Sequence, residues 1–413
     1  MTGFVDRQHA AQLMERAGIA ALVLCAPEAF HYATGAWIGP AGLFRRAGGG
    51  FVVIPARQDL PIGVVVADFN AAQLRLAMPG AVVRSHPIWI ESAPVETAHG
   101  LPLAERIEAG LALLGRTPDF SRPATFDLAG SLRQLRVLLD DFGLARATLG
   151  IDLDFVPAAD FASIQALLPD CPVVDGSPVL DRLRAIKSQR EIDLLQQGIF
   201  LSEAGLERLQ VDALAGMRQA DLVALYRKGV TDAAAGLSHP VLTAEYVTLG
   251  ARAKGADARA EAGDPLKCDM VCTVGGYASD MSRNFTFGPP SPDQAELHAI
   301  AERAFEDGLA ALMPGNTLAH VHRVTTESLA RQGLPSYRRG HFGHSVGQSV
   351  FSEQWPFIAA DSDVVIEAGM VLAFEIPLYI DGLASFNLED QFLITADGPR
   401  PMNRLPRRLE GIG

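Results

Sequence analysis

Two runs near the C-terminal end decide the fold: Val371-Leu-Ala-Phe-Glu-Ile-Pro377 and Phe386-Asn-Leu-Glu-Asp-Gln-Phe-Leu-Ile394. Each is apolar and of strand length, and each carries a carboxylate in its middle. An ionised carboxylate in a buried strand is costly unless it is paired or bound to a metal. Period-two alternation puts Glu375 on a face with Val371 and Ala373, and Glu389 on a face with Asn387 and Gln391. If the two strands pair, both carboxylates converge on one point.

Two further groups fit the same picture. Asp280 stands in Tyr277-Ala-Ser-Asp-Met-Ser-Arg283, which begins a strand after a Gly-Gly turn. His344 lies in Arg339-Gly-His-Phe-Gly-His-Ser-Val-Gly347, where the glycines imply that backbone approaches something closely. From the residues alone two readings stand. One is a hard-metal shell for Mn, Fe, Co or Zn made of one Asp, one His and two Glu; the other is a set of unrelated buried salt bridges that use Arg283.

Upstream of these motifs the chain changes character near residue 180. Before it, short apolar runs (Ala20–Cys25, Gly49–Pro55, Ile62–Ala67) alternate with helical patterns such as Phe4–Gly18, which predicts an α/β layer with its sheet covered on both faces. The Gly-rich piece 39–50 matches no phosphate-loop pattern and reads as a loop. After it, Arg182–Gln210 reads as one long helix and Gln219–Thr231 as a second. Strands at Met270–Val274 and Met281–Thr286 precede helices at 292–312, opened by a Ser291–Gln294 capping box with Pro at its first position, and at 318–332. Strands at Val371–Leu378 and Phe386–Thr395 close the pattern as a hairpin.

Composition sets outer limits. With 413 residues, of which 48% are hydrophobic and 20% charged, the chain folds as about two or three domains. A net charge of −13 argues against nucleic acid and anionic membrane surfaces as partners. Four scattered cysteines, Cys25, Cys171, Cys268 and Cys272, suit a reducing compartment. No export signal or membrane-length apolar run is apparent, so a cytoplasmic protein is expected.

The order of the motifs, Tyr-Ala-Ser-Asp-Met-Ser-Arg, then Gly-His-Ser-Val-Gly, then Phe-Glu-Ile-Pro, then Asn-Leu-Glu-Asp, resembles the creatinase/aminopeptidase P/prolidase family. Arg16–Leu24 and Tyr32-Ala-Thr-Gly35 resemble its N-terminal domain, and Leu183–Glu191 resembles the lead-in to its catalytic domain. The resemblance implies an α+β chain: a creatinase-type α/β domain over residues 1–180, then a pita-bread domain over 181–413. It also implies a homodimer in which the N-terminal domain borders the partner's active site.

By motif match, the family's metal ligands fall on Asp280, His344, Glu375 and Glu389, with Asp280 and Glu389 in bridging positions. The family's first metal Asp has no clear counterpart. The hairpin Cys268-Asp-Met-Val-Cys-Thr-Val-Gly-Gly276 is four or five residues shorter than the family's, which puts Thr273 or Val274 at that position. Asp269 has the family's spacing to Asp280, with ten residues between, but matches better the Gly-Asp that precedes the strand. Cys268 and Cys272 read as small buried hydrophobes rather than thiolate ligands. The four remaining ligands complete one metal site, whereas a pair of ions ~3.5–4 Å apart is not expected.

The family's supporting histidines are also replaced, by Asp257, by Gly340 (with His341 beside it) and by Phe351 or Ser352. Their loss argues against orthodox Xaa-Pro cleavage. The resemblance therefore implies a hydrolase of a C–N bond in a small molecule or short peptide, using a single divalent metal. Glu375, His344 and Glu353 are its catalytic candidates, and His341, Arg283, Asp257 and Trp355 lie near the substrate. Two alternatives are a metal-free, creatinase-like hydrolase of a cationic small molecule and a non-catalytic relative that binds a ligand or partner in the old cleft.

Overall fold

A computed structural model of the chain describes residues 3–95, 100–252 and 254–413. The chain forms two compact units, Met1–Leu183 and Arg184–Gly413. Among the described residues no helix is long and apolar enough to cross a membrane.

The first unit is a six-stranded mixed sheet, in the order β4-β3-β2-β1-β5-β6, built from β1 (Ala21–Leu24), β2 (Phe51–Pro55), β3 (Gly63–Ala67), β4 (Val82–His86), β5 (Leu149–Ile151) and β6 (Val173–Asp175). Its helices are α1 (Arg7–Ala17), α2 (Pro27–Thr34), α3 (Asp68–Ala77), α4 (Leu103–Leu113), α5 (Leu128–Asp141) and α6 (Ala158–Leu167). The uninterrupted apolar runs of β1, β2 and β3 are buried along their whole length, as strands covered on both faces must be. Leu132, Leu135, Leu138 and Leu139 of α5 close the core against Val23, Val53 and Val65. The Gly-rich piece folds into short 3-10 turns at Pro40–Phe44 and Ala47–Gly49.

Helix α7 (Ser177–Ala185) carries the chain into the second unit, followed by α8 (Gln189–Asp212) and α9 (Gln219–Ala233). The single helix expected over 182–210 is thus two. Ser188 accepts from the Glu191 N–H while the Glu191 carboxylate accepts from the Ser188 N–H, a capping box that starts α8 afresh. Ile186, just before it, bridges to Met370.

The sheet of this unit has ten strands: β7 (Val241–Leu249), β8 (Pro265–Val274), β9 (Tyr277–Phe287), β10 (His341–Ser345), β11 (Gly347–Gln348), β12 (Gln354–Ala359), β13 (Val371–Ile380), β14 (Ala384–Thr395), β15 (Gly398–Pro401) and β16 (Glu410–Ile412). Its path runs β12-β10-β13-β14-β9-β8-β7. One face packs on α10 (Pro292–Ala311) and α11 (Leu318–Arg331), whose Ala301, Phe305, Val321 and Leu329 meet Phe374, Ile376, Leu388 and Phe392. Alternation then forces Glu375, Asn387, Glu389 and Gln391 onto the other face.

Arg283 belongs to the helix-facing side. One step from Asp280's neighbour Ser282, it turns away from Asp280 and donates to Asp390 (2.7 Å), to the Glu389 carbonyl (2.9 Å) and to the Leu405 carbonyl (2.6 Å). Asp390 also accepts from Arg407 at 2.6 Å. Arg283 is therefore committed to a buried ion pair and is not offered to a substrate. Trp355, a second expected substrate contact, packs against the helix-side core.

Breaking that pair leaves Asp390 with only the partly exposed Arg407. Arg283→Ala is expected to cost about 3 kcal/mol of stability in urea unfolding. A loss under about 0.5 kcal/mol, as for an ordinary surface change, would show that the pair holds nothing.

Candidate metal centre

The hairpin of β8 and β9 turns on Gly275 and Gly276, both at positive φ (57° and 90°), which a two-residue turn of this hand requires. That turn sets the register: Asp269 pairs Ser282, and Val271 pairs Asp280. Across the sheet Ser282 pairs Glu389, and Glu389 pairs Glu375. Directly opposed residues share a face, so Asp269, Glu389 and Glu375 form one row of carboxylates. Asp280 stands in the adjacent row, where Gln391 accepts from its backbone N–H at 3.3 Å.

His344 joins that second row through its pairing with Ala373. Gly343 makes this possible, since a Cβ there would lie 2.1 Å from the Ala373 carbonyl oxygen, at a φ of 133° that side chains rarely adopt. The close approach expected of the glycine-punctuated segment is thus β10 against β13. The His344 Nδ1 lies 3.0 Å from the Ser345 carbonyl, which fixes the proton there and leaves Nε2 as a free lone pair. Nε2 is 3.9 Å from Asp280 Oδ2 and 3.8 Å from Glu389 Oε1.

Asp280, His344 and Glu389, all buried, offer ligand atoms within 4.8 Å of one another. Asp280 Oδ1 and Glu389 Oε1 are buried without a hydrogen-bond partner. Two carboxyl groups with orphaned oxygens and a neutral imidazole nitrogen, gathered within 4.8 Å, are the donor set of a hard or borderline divalent cation. The residues fit a metal. Glu375 stands beside this group rather than in it: its Oε2 shares the Asn387 amide with Glu389 (3.1 and 3.3 Å), and its Oε1 is 3.5 Å from His341 Nδ1.

Burial and crowding shift every group here. Burial, then the repulsion of neighbouring carboxylates, holds Asp280 and Glu389 well above the ordinary carboxylate range. The hydroxyl of Ser352 works the other way on Asp280. Glu375 is raised to about 7, first by burial and then by the charge of Asp269. Burial lowers His344 to about 4, so it is neutral at physiological pH.

His341 links Glu375 to Glu353, whose Oε2 is 3.5 Å from its Nε2. The Gly343 N–H donates to His341 Nδ1, which leaves the Nε2–H directed at Glu353. Burial raises Glu353 and lowers His341. Asp257 is not brought to this face; it is exposed in the segment that leads to β8, within the field of Arg218. Among aromatics it is Phe357, with its ring 5.4 Å from that of His341, and not Trp355, that stands here.

Neither Thr273 nor Val274 faces Asp280; they pair Ala278 and Tyr277 nearer the turn, and the residue directly across from Asp280 is Val271. Cys268 and Cys272 are buried on the other face with thiols pushed up by burial, Cys272 to about 12. Asp269, which motif matching assigns to the lead-in of the strand, lies on the face of Asp280. Reflecting the hairpin about Gly275–Gly276 is the signal that places it there. The same reflection places Lys267, 2.9 Å from Asp269, which belongs to no motif.

Residues 193–396 match the model of metallopeptidase family M24, and residues 121–186 that of the creatinase/prolidase N-terminal domain. A probable dipeptidase PepE of Mycobacterium tuberculosis is 29% identical over 284 residues, which cover 65% of this chain and 73% of the relative. An Xaa-Pro dipeptidase of Pyrococcus furiosus is 25% identical over 233 residues, 56% of this chain and 66% of the relative. The solved structure of an Xaa-Pro dipeptidase from Bacillus anthracis superposes with a TM-score of 0.75 at 18% identity, over 98% of this chain and 99% of that one.

A cation entering this centre competes with the protons that burial and crowding favour on Asp280 and Glu389, while the neutral His344 offers no competition. Manganese affinity is therefore expected to rise with pH between pH 6 and 8, with proton release seen by calorimetry in buffers of different ionisation enthalpy. An affinity flat across that range would contradict the assignment.

Proposed function

Because this chain belongs to the creatinase/aminopeptidase P/prolidase family, we propose that it hydrolyses the C–N bond of a short peptide at a single divalent cation. The observation that carries the reading is the buried Asp280–His344–Glu389 group, whose ligand atoms lie within 4.8 Å of one another and which leaves two carboxyl oxygens without a partner. Among the described residues Asp280, His344 and Glu389 are the group whose ligand atoms lie within 4.8 Å of one another, which supports one cation rather than two. Residues 181–413 form the catalytic domain, and the creatinase-like domain spans residues 1–180. The family resemblance supports a homodimer, and four buried, unpaired cysteines support a cytoplasmic setting.

A divalent cation bound by these residues supplies Lewis acidity toward an amide carbonyl and acidifies a water. The rest is done by the chain. Glu375, held near neutrality, is matched to take a proton at Oε1 and return it to a leaving amine. His341 stands between Glu375 and the half-exposed Glu353, a route by which that proton exchanges with solvent. Asn387 fixes both Glu375 and Glu389 through one amide, so their spacing survives changes in charge.

The dipeptidase relatives support dipeptides as the substrates to assay first. Manganese-loaded protein is expected to cleave at least one member of a panel that includes Xaa-Pro and other dipeptides. Glu389→Ala should lose ~100-fold or more without losing its circular-dichroism signature. Full activity in the folded Glu389→Ala protein would sink the reading.

A further inference from the structure

Beside the carboxylate row, β8 carries a cation that the chemistry above does not use. Lys267 lies between the fully buried Leu266 and Cys268, and 7% of its own surface is exposed. Alternation puts it on the face of Asp269, and its ammonium donates to Asp269 Oδ2 at 2.9 Å. Its Nζ also stands 5.3 Å from the centre of the Tyr379 ring, a cation–π contact. Asn284, directly across on β9, spends its amide on the backbone of Asn387 and brings no charge. The lysine also acts on Glu389, opposing the burial and the neighbouring carboxylates that raise it.

An ammonium buried this deeply is costly unless an anion answers it, and the same holds for the carboxylates. Ionised Asp269, Asp280 and Glu389 bring three negative charges, of which one divalent ion at Asp280, His344 and Glu389 answers two. Lys267, on Asp269, supplies the remaining positive charge, and the buried face is neutral. Glu375 and the half-exposed Glu353 stay outside that balance, within the field of Arg339. A second divalent ion at the Asp269 end would meet the ammonium as a like charge inside a buried face, where repulsion is strong.

We propose that the Lys267 ammonium takes the place of a second divalent cation, and that this one side chain sets the metal count of the centre. The inference rests on the single-cation reading above. Dialysis and chelation cannot remove a lysine, so the Asp269 end of the row keeps its positive charge when the ion leaves. Lysine holds that charge as a compact ammonium on a four-carbon stem. Methionine fills much the same space without it, which makes the charge the variable.

Elemental analysis of manganese-loaded, dialysed protein tests the proposal, with affinities taken from calorimetry. Wild type is expected to hold about one ion per chain, Lys267→Met about two, and Lys267→Arg about one again. Asp269→Asn leaves the ammonium unanswered near the ion, so manganese should bind ~10-fold or more weakly. Adding Lys267→Met to Asp269→Asn removes both charges and should return the affinity to that of wild type. The double variant buries no unpaired charge, so it keeps the test open if Lys267→Met alone does not fold. One ion or none in folded Lys267→Met, beside one in wild type, would overturn the role of Lys267 and leave the single-cation reading intact. An affinity in the double variant no better than in Asp269→Asn would do the same. Two ions in wild type, or none in any of these proteins, would overturn the single-cation reading and this inference with it.

Discussion

The structure turns on one electrostatic constraint: carboxylates lie together on one face of a sheet that shields them from water. Asp280, Glu375 and Glu389 are all buried, and burial together with the charge of neighbouring carboxylates, Asp269 among them, raises the affinity of each for protons. Such a group persists only with protons, with a cation or with partnered donors. Here all three devices operate at different places. Burial favours protons on the raised carboxyls, Asn387 spreads one amide over two of them, and Lys267 neutralises Asp269. Two oxygens, Asp280 Oδ1 and Glu389 Oε1, are left without a partner.

The rest of the second unit serves that face. A two-glycine turn sets the register that puts Asp269 and Asp280 on one side and Arg283 on the other. Gly343 lets β10 close on β13, which brings His344 into line. Behind the sheet, α10 and α11 bury the alternate residues of β13 and β14, so a slip of one residue would carry every carboxylate into the apolar core. The Arg283–Asp390–Arg407 network pins the back of the same strands.

Much of this was legible in the sequence. Carboxylates inside strand-length apolar runs gave away Glu375 and Glu389, and motif order gave the family. Period-two alternation also held the answer for Asp269 and Arg283, since the Gly-Gly turn fixes which residues face each other. The helix break at Ile186–Ser188 was hidden because its charged periodicity continues across the cap. Trp355 and Arg339 could not be placed from pattern alone. Trp355 packs on the core while Phe357 meets His341, and Arg339 stands over Tyr379, which lies on a distant strand.

The central claim is that the acidic face is completed by one divalent ion at Asp280, His344 and Glu389. Elemental analysis of dialysed, manganese-loaded protein tests it directly, with His344→Ala as the control. The account predicts about one ion per chain, lost in the variant. Two ions per chain, or none in either protein after loading with Mn, Fe, Co or Zn, would contradict it.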